Sequence, residues 1–108
     1  MEIKIDFGKI ENWNSFHEVF AKVMGFPDFY GKNNDAWIDC MSYIDDKDAG
    51  MSKITVMPGE SLNIIVSGTE RATETASEIF LGFMDIVAFV NQRFIESGTN
   101  TRLSVIAT

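Results

Sequence analysis

The chain of 108 residues is predicted to fold as one small α/β domain, a three-stranded parallel sheet flanked by helices in the order β-α-α-β-α(-α)-β. Three observations predict it. Short runs rich in branched apolar residues read as strands near the start, the middle and the end of the chain. Between them, apolar residues recur at helical spacing. Strands separated by helices pair in parallel, because such a crossover needs a dozen or more residues and the helices supply them. At this length one core can be buried without a metal or a disulfide. No repeat, low-complexity tract or second domain interrupts it, so residues 1–108 are read as a single domain.

In the first strand Ile3, Ile5 and Phe7 alternate with Glu2, Lys4 and Asp6, and Gly8 closes it. Asn14 is expected to precede a helix whose apolar stripe is Phe16, Val19, Phe20 and Val23, ended by Gly25 and Pro27. An aromatic turn, Phe29-Tyr30-Gly31, follows, and Asn33 or Asn34 is placed to cap a second helix. From Asp45 to Glu60 the composition turns polar and reads mainly as a loop, with Ile54–Val56 the one stretch that suggests a strand. Leu62–Val66 is compact and branched enough for a buried strand. Thr69 is expected to open a helical region reaching about Ser97, striped by Ile79, Phe80, Phe83, Met84, Val87, Val90 and Phe94, with Gly82 a point where it could divide. Gly98 ends that region, and Leu103–Ile106 makes the last strand.

Composition narrows the function. A net charge of −7 weighs against general nucleic-acid binding, which needs clustered Lys and Arg to displace counterions, and favours basic partners. No apolar stretch reaches the length of a membrane span, and the charged, alternating start Met-Glu-Ile-Lys-Ile-Asp is unlike a signal peptide. The single cysteine, Cys40, cannot form an internal disulfide. A reducing, cytoplasmic location is the expectation.

The most informative segment is the second helix. At about 100° per residue, Asp35, Asp39, Ser42 and Asp46 fall within roughly 60° of one another, and Trp37, Cys40, Met41 and Ile44 lie opposite. Such a helix docks by one face and offers carboxylates by the other. An i,i+4 carboxylate pair is most often just a solvated face, yet these repel with no Lys or Arg in their own stripe to relieve them. Of Phe29 and Tyr30, one is expected to pack beneath the turn and the other to stay outside, where an aromatic among charges makes a binding hot spot.

Catalytic signatures are missing. The chain has no P-loop, no Gly-x-Gly-x-x-Gly after a strand, no His-Glu-x-x-His and no Gly-x-Ser-x-Gly. His17 reads as a helix-flank residue with one hydrogen-bond partner, and a core-facing Cys40 gives it no nucleophile to activate. No catalytic residue, metal site or cofactor is predicted, and a small acid-catalysed hydrolase is the weakest reading.

Over Pro27, Tyr30-Gly31, Asn33, Asp35-Ala36 and Asp39-Cys40 the chain resembles the barstar family of intracellular ribonuclease inhibitors. The run Tyr-Gly-x-Asn-x-Asp-Ala-x-x-Asp keeps a turn, a cap position and an acidic i,i+4 pair in one register. The resemblance implies three parallel strands with flanking helices, and an inhibitor or immunity protein that plugs the active site of a basic ribonuclease. Asp39 would then be the central anion, standing in for an RNA phosphate among the enzyme's Arg, Lys and His residues, with Asp35 a second carboxylate. Gly31 and Asn33 would shape the loop, Tyr30 belongs to its motif, Phe29 matches an interfacial tyrosine, and Ser42 stands where the family has a small hydroxyl residue. Departures point to a target other than barnase. Phe29 lacks the tyrosine's hydroxyl, Ile38 takes the position expected for the motif's tryptophan, Tyr43 replaces a glycine and adds bulk beside the site, and an acidic contact residue of the family's last helix would fall near Arg93, so that contact is not carried over. The chain is expected as a monomer or in a 1:1 heterodimer with its target, with no membrane and no direct nucleic-acid contact. The alternative is a barstar-fold protein-binding module with a non-ribonuclease basic partner.

Overall fold

The computed structural model describes residues 1–71 and 74–108. Strands β1 (Glu2–Asp6), β2 (Ser61–Ser67) and β3 (Arg102–Ala107) alternate with helices α1 (Trp13–Met24), α2 (Asn34–Met41) and α3 (Glu74–Glu96) in the order β1-α1-α2-β2-α3-β3. The sheet order is β1-β2-β3, both pairs parallel. Ile3 and Ile5 stand beside Ile64 and Val66, and Leu62 and Ile64 beside Leu103 and Val105. This register stacks Ile3 and Ile5 of β1, Leu62, Ile64 and Val66 of β2, and Leu103 and Val105 of β3 on one face. The opposite face carries exposed Glu2, Lys4 and Asp6 on β1 and half-buried Asn63, Ile65 and Ser67 on β2. β2 is therefore fully buried on one side only, and the domain has two layers.

Between sheet and helices lies an aromatic cluster. Phe16 and Phe20 of α1, Trp37 of α2 and Phe83 of α3 are all fully buried, with Phe20 packed 4.8 Å from Phe16, 5.5 Å from Trp37 and 5.6 Å from Phe83, centroid to centroid. Burying each such ring contributes about 1.5–3 kcal/mol. One ring each from α2 and α3 thus fixes both helices against α1.

Local chemistry moves several boundaries from their sequence expectations. α1 starts at Trp13, capped by Asn12 and not by Asn14: Asn12 Oδ1 accepts from the Ser15 amide at 2.8 Å, and Ser15 Oγ accepts from the Asn12 amide at 3.1 Å. This reciprocal box satisfies two donors that a helix start leaves open. The buried face of α1 is Phe16, His17, Phe20 and Met24, so Val19 and Val23 flank it half-buried. Its end is as predicted, with Gly25 in the left-handed conformation at φ 68°.

The helical region opened by Thr69 begins as a short 3-10 turn, Thr69–Arg71, and part of the predicted span, Ala72 and Thr73, lies outside the described residues. From Glu74 to Glu96 it is one helix, unbroken at Gly82. A Cβ at position 82 would meet the Trp13 ring at 2.7 Å, so the glycine makes room for an aromatic from α1 and does not break the helix. Ile86 joins the buried stripe, while Met84, expected there, is exposed.

The 45–60 segment forms no strand, and Ile54–Val56 serves another purpose. The Lys53 and Ile54 amides donate to the Met24 carbonyl at 2.9 and 3.1 Å, satisfying the end of α1, and the Val56 amide donates to Ile44 at 2.9 Å. Buried Thr101 donates its hydroxyl to Asp45 Oδ2 and accepts from the Gly59 amide, both at 2.9 Å. The segment is thereby tied to α1, to the exit of α2 and to the start of β3.

Candidate functional site

The turn before α2 sorts its two aromatics to opposite environments. The Tyr30 amide donates to the Pro27 carbonyl at 2.9 Å, closing a tight turn. Phe29 is left 76% exposed, while Tyr30 is only 8% exposed and packs on Phe26 with centroids 4.7 Å apart. The Tyr30 hydroxyl is hydrogen-bonded to Nδ1 of His17, itself buried on α1. Burial pushes the Tyr30 phenol up and the His17 imidazole down, the latter opposed by a contact with the Asn34 side chain. Both partners are thus neutral near pH 7, and together they pin the loop to the core.

Sequence reading gave His17 a helix-flank role, and the structure gives it an anchoring one. The spacing 13, 17, 20, 24 already places it on an apolar helical face, a signal hidden by its being polar. In the loop that Gly31 is expected to shape, the residue with positive φ is its neighbour Lys32, at 52°. A non-glycine residue there costs about 1–2 kcal/mol. Gly31 has a different constraint: a Cβ would lie 3.3 Å from the Asn33 Nδ2 atom. Asn33 is the cap of α2, its Oδ1 accepting from the Ala36 amide at 2.8 Å and its Nδ2 donating to the Gly31 carbonyl at 3.4 Å.

α2 then divides as its periodicity predicts. Trp37, Cys40, Met41 and the following Ile44 are buried, as is Ile38. Asp35 and Asp39 are exposed. Asp35 sits in the first turn, where the helix dipole favours its negative charge. Ser42 is half-buried at the C-cap and donates its hydroxyl to the Ile38 carbonyl at 2.6 Å; Tyr43, just beyond, is exposed. Asp46 does not belong to this face. The helix ends at Met41, and Asp46 instead caps the short turn Lys47–Ala49, accepting from the Asp48 amide at 3.2 Å. The candidate surface is thus a helix about 12 Å long, bearing two carboxylates and flanked by exposed Phe29 before it and Tyr43 after it.

One contact was not foreseen from the acidic stripe itself. Arg93, on the last turn of α3, donates from Nη1 to Asp39 Oδ1 at 3.0 Å and reaches Ser42 Oγ at 3.5 Å. The pair is open to water, its side chains 43% and 58% exposed. A cation therefore does relieve the acidic face, but from another helix.

Cys40 is buried, and burial together with the Asp39 charge pushes its thiol up to about 11, far from the thiolate a nucleophile requires. Among the described residues, no group of three or more His, Cys, Asp or Glu side chains is placed to hold a metal ion. No helix among them is long and apolar enough to cross a membrane.

A family model described as "Barstar (barnase inhibitor)" matches residues 1–106. The chain therefore belongs to the barstar family. No curated protein matches it.

Proposed function

We propose that this protein is an intracellular inhibitor of a basic ribonuclease, blocking the enzyme's active site with α2 and the loop that precedes it. Membership of a family described as barnase inhibitors supports the class of partner. The observation that carries the mechanism is the exposed pair Asp35 and Asp39 on a helix whose other face is locked in the core. A ribonuclease site is built to hold phosphates with cationic side chains, and a carboxylate on a rigid helix offers it a charge-assisted hydrogen-bond acceptor of the same sign. Asp39 is the central anion and Asp35 the second.

Phe29 and Tyr43 supply apolar contact beside the carboxylates, while Tyr30 acts from beneath by fixing the loop. Gly31 and Asn33 set the loop's course, and Ser42 holds the helix end. Complementary charge steers the encounter, so association slows as salt screens it. The target is a ribonuclease other than barnase, and the complex is 1:1.

A second reading is favoured by one contact. Because Arg93 already partners Asp39, the same surface could serve a barstar-fold binding module whose basic partner is not a nuclease. Inhibition assays with ribonucleases from the source cell separate the two. Asp39→Ala should weaken inhibition by about 2–5 kcal/mol, the range for truncating one partner of a desolvated charge pair, and Asp46→Ala by far less. Equal losses would sink the phosphate-mimic mechanism.

A further inference from the structure

The outward side of α3 carries an apolar stripe that the rest of the fold leaves uncovered. Leu81, Met84, Ala88 and Ile95 are all exposed. At 100° per residue they lie within roughly 60° of one another, and at 1.5 Å per residue they span about 21 Å of the helix. The spacing 81, 84, 88, 95 is the one by which a second helix seats along a first. Ala88, small and near the middle, lets a second backbone approach closely. Exposed Glu78, Asp85 and Glu96 run along one edge of the stripe, and none of them is in an ion pair among the described residues. The one cation of α3, Arg93, is turned more than roughly 100° away from the stripe and is bonded to Asp39.

We infer that this side of α3 is a second docking surface and that its partner is a basic amphipathic helix. It lies apart from the acidic face of α2, and neither reading needs the other.

Charge selects among the surfaces that can cover an apolar stripe. A second copy of the chain brings the same carboxylates to the interface and a net charge of −7 of its own, so the two repel. An anionic membrane surface, which attracts Lys and Arg, is repelled by the same rim. A helix with apolar residues on one side and Lys or Arg beside them satisfies both parts of the surface. Its apolar side covers Leu81, Met84 and Ile95, and its cations meet Glu78, Asp85 and Glu96. Anchors spaced along one helix face are how amphipathic helices are recognised. The rim charges are exposed, so they speed the encounter and set the register, and salt weakens them.

The probe is a labelled leucine–lysine peptide of about 14 residues, patterned as an amphipathic helix and long enough to run along the stripe. A peptide of the same composition, scrambled so that its leucines share no face, carries the same charge. Affinities are measured by fluorescence anisotropy at low salt for the wild type, Leu81→Ser/Ile95→Ser, Glu78→Lys/Asp85→Lys and Asp35→Ala/Asp39→Ala. All the substituted side chains are exposed, and thermal melts check that each variant is folded.

The wild type is expected to bind the patterned peptide at least about tenfold tighter than the scrambled one. Leu81→Ser/Ile95→Ser should erase that preference, and Glu78→Lys/Asp85→Lys should weaken binding about tenfold. Asp35→Ala/Asp39→Ala, which removes the carboxylates of α2, should leave the preference in place. Equal affinity for the two peptides overturns the inference, since net charge alone would explain it, as does no binding of the patterned peptide. Full affinity in Glu78→Lys/Asp85→Lys, or loss of the preference in Asp35→Ala/Asp39→Ala, overturns it too. So does a dimer in sedimentation velocity, or binding to phosphatidylglycerol vesicles, that Leu81→Ser/Ile95→Ser abolishes, because the stripe would then belong to a second copy or to a membrane.

Discussion

The two faces of α2 are built from adjacent residues yet obey different physics. Trp37, Cys40 and Met41 are sealed in a core that extends through Phe20 and Phe83 to the sheet. Asp35 and Asp39, one or two positions away, stand in solvent, where the bond to Arg93 contributes about 0–1 kcal/mol to stability. The buried face fixes where the helix is, and the exposed face is free to be whatever a partner requires. Stability and recognition can therefore be perturbed independently in one eight-residue helix.

The largest blow to that separation comes from the core side. Trp37→Ala should destabilise the domain by about 3–5 kcal/mol, the range for emptying a large aromatic site, read as a lowered urea midpoint. Any loss of partner binding should then follow the folded fraction alone. A variant that stays folded but no longer binds would mean that the buried face takes part in recognition directly.

A smaller effect sharpens the boundary between loop and helix. Asn33→Ala removes the cap whose Oδ1 accepts from the Ala36 amide, and should cost about 1 kcal/mol of stability. It should also loosen the turn next to Phe29, visible as faster amide exchange at Ala36. Unchanged exchange there would show that Tyr30 alone holds the turn.

The mildest test uses pH. Burial lowers the His17 pKa in the folded protein below the ordinary 6.5, so the native state binds fewer protons than the unfolded state. Its contribution to stability is complete above about pH 6.5, falls as the pH drops through that value, and levels off below the depressed folded pKa. Urea titrations from pH 7.5 to 5 should show this decline in the wild type and a flatter profile in His17→Gln. Equal slopes would contradict a neutral, buried anchor.

What the sequence made legible follows the same division. The core face of α2, the three strands and the ends at Gly25 and Gly98 all rest on local patterns, and they appear at or within a residue or so of their expected places. The α1 stripe is rotated because His17 is polar, so hydrophobic periodicity assigns it to the flank although its partner Tyr30 lies 13 residues on. The reason for a glycine at position 82 of α3 is the ring of Trp13, far away in the chain. The Arg93–Asp39 pair spans 54 positions and two helices, and no local pattern signals it. Elements come from short-range spacing, whereas the electrostatic state of the acidic face comes from which helix the fold sets beside it.

The most direct test of the central claim is a pull-down from lysate of the source cell at low and high salt, with wild type and the Asp35→Ala/Asp39→Ala double variant side by side. A basic ribonuclease captured by the wild type, lost at high salt and absent from the double variant is the predicted result. A partner retained equally by both proteins would contradict the account, placing recognition on some surface other than the acidic face of α2.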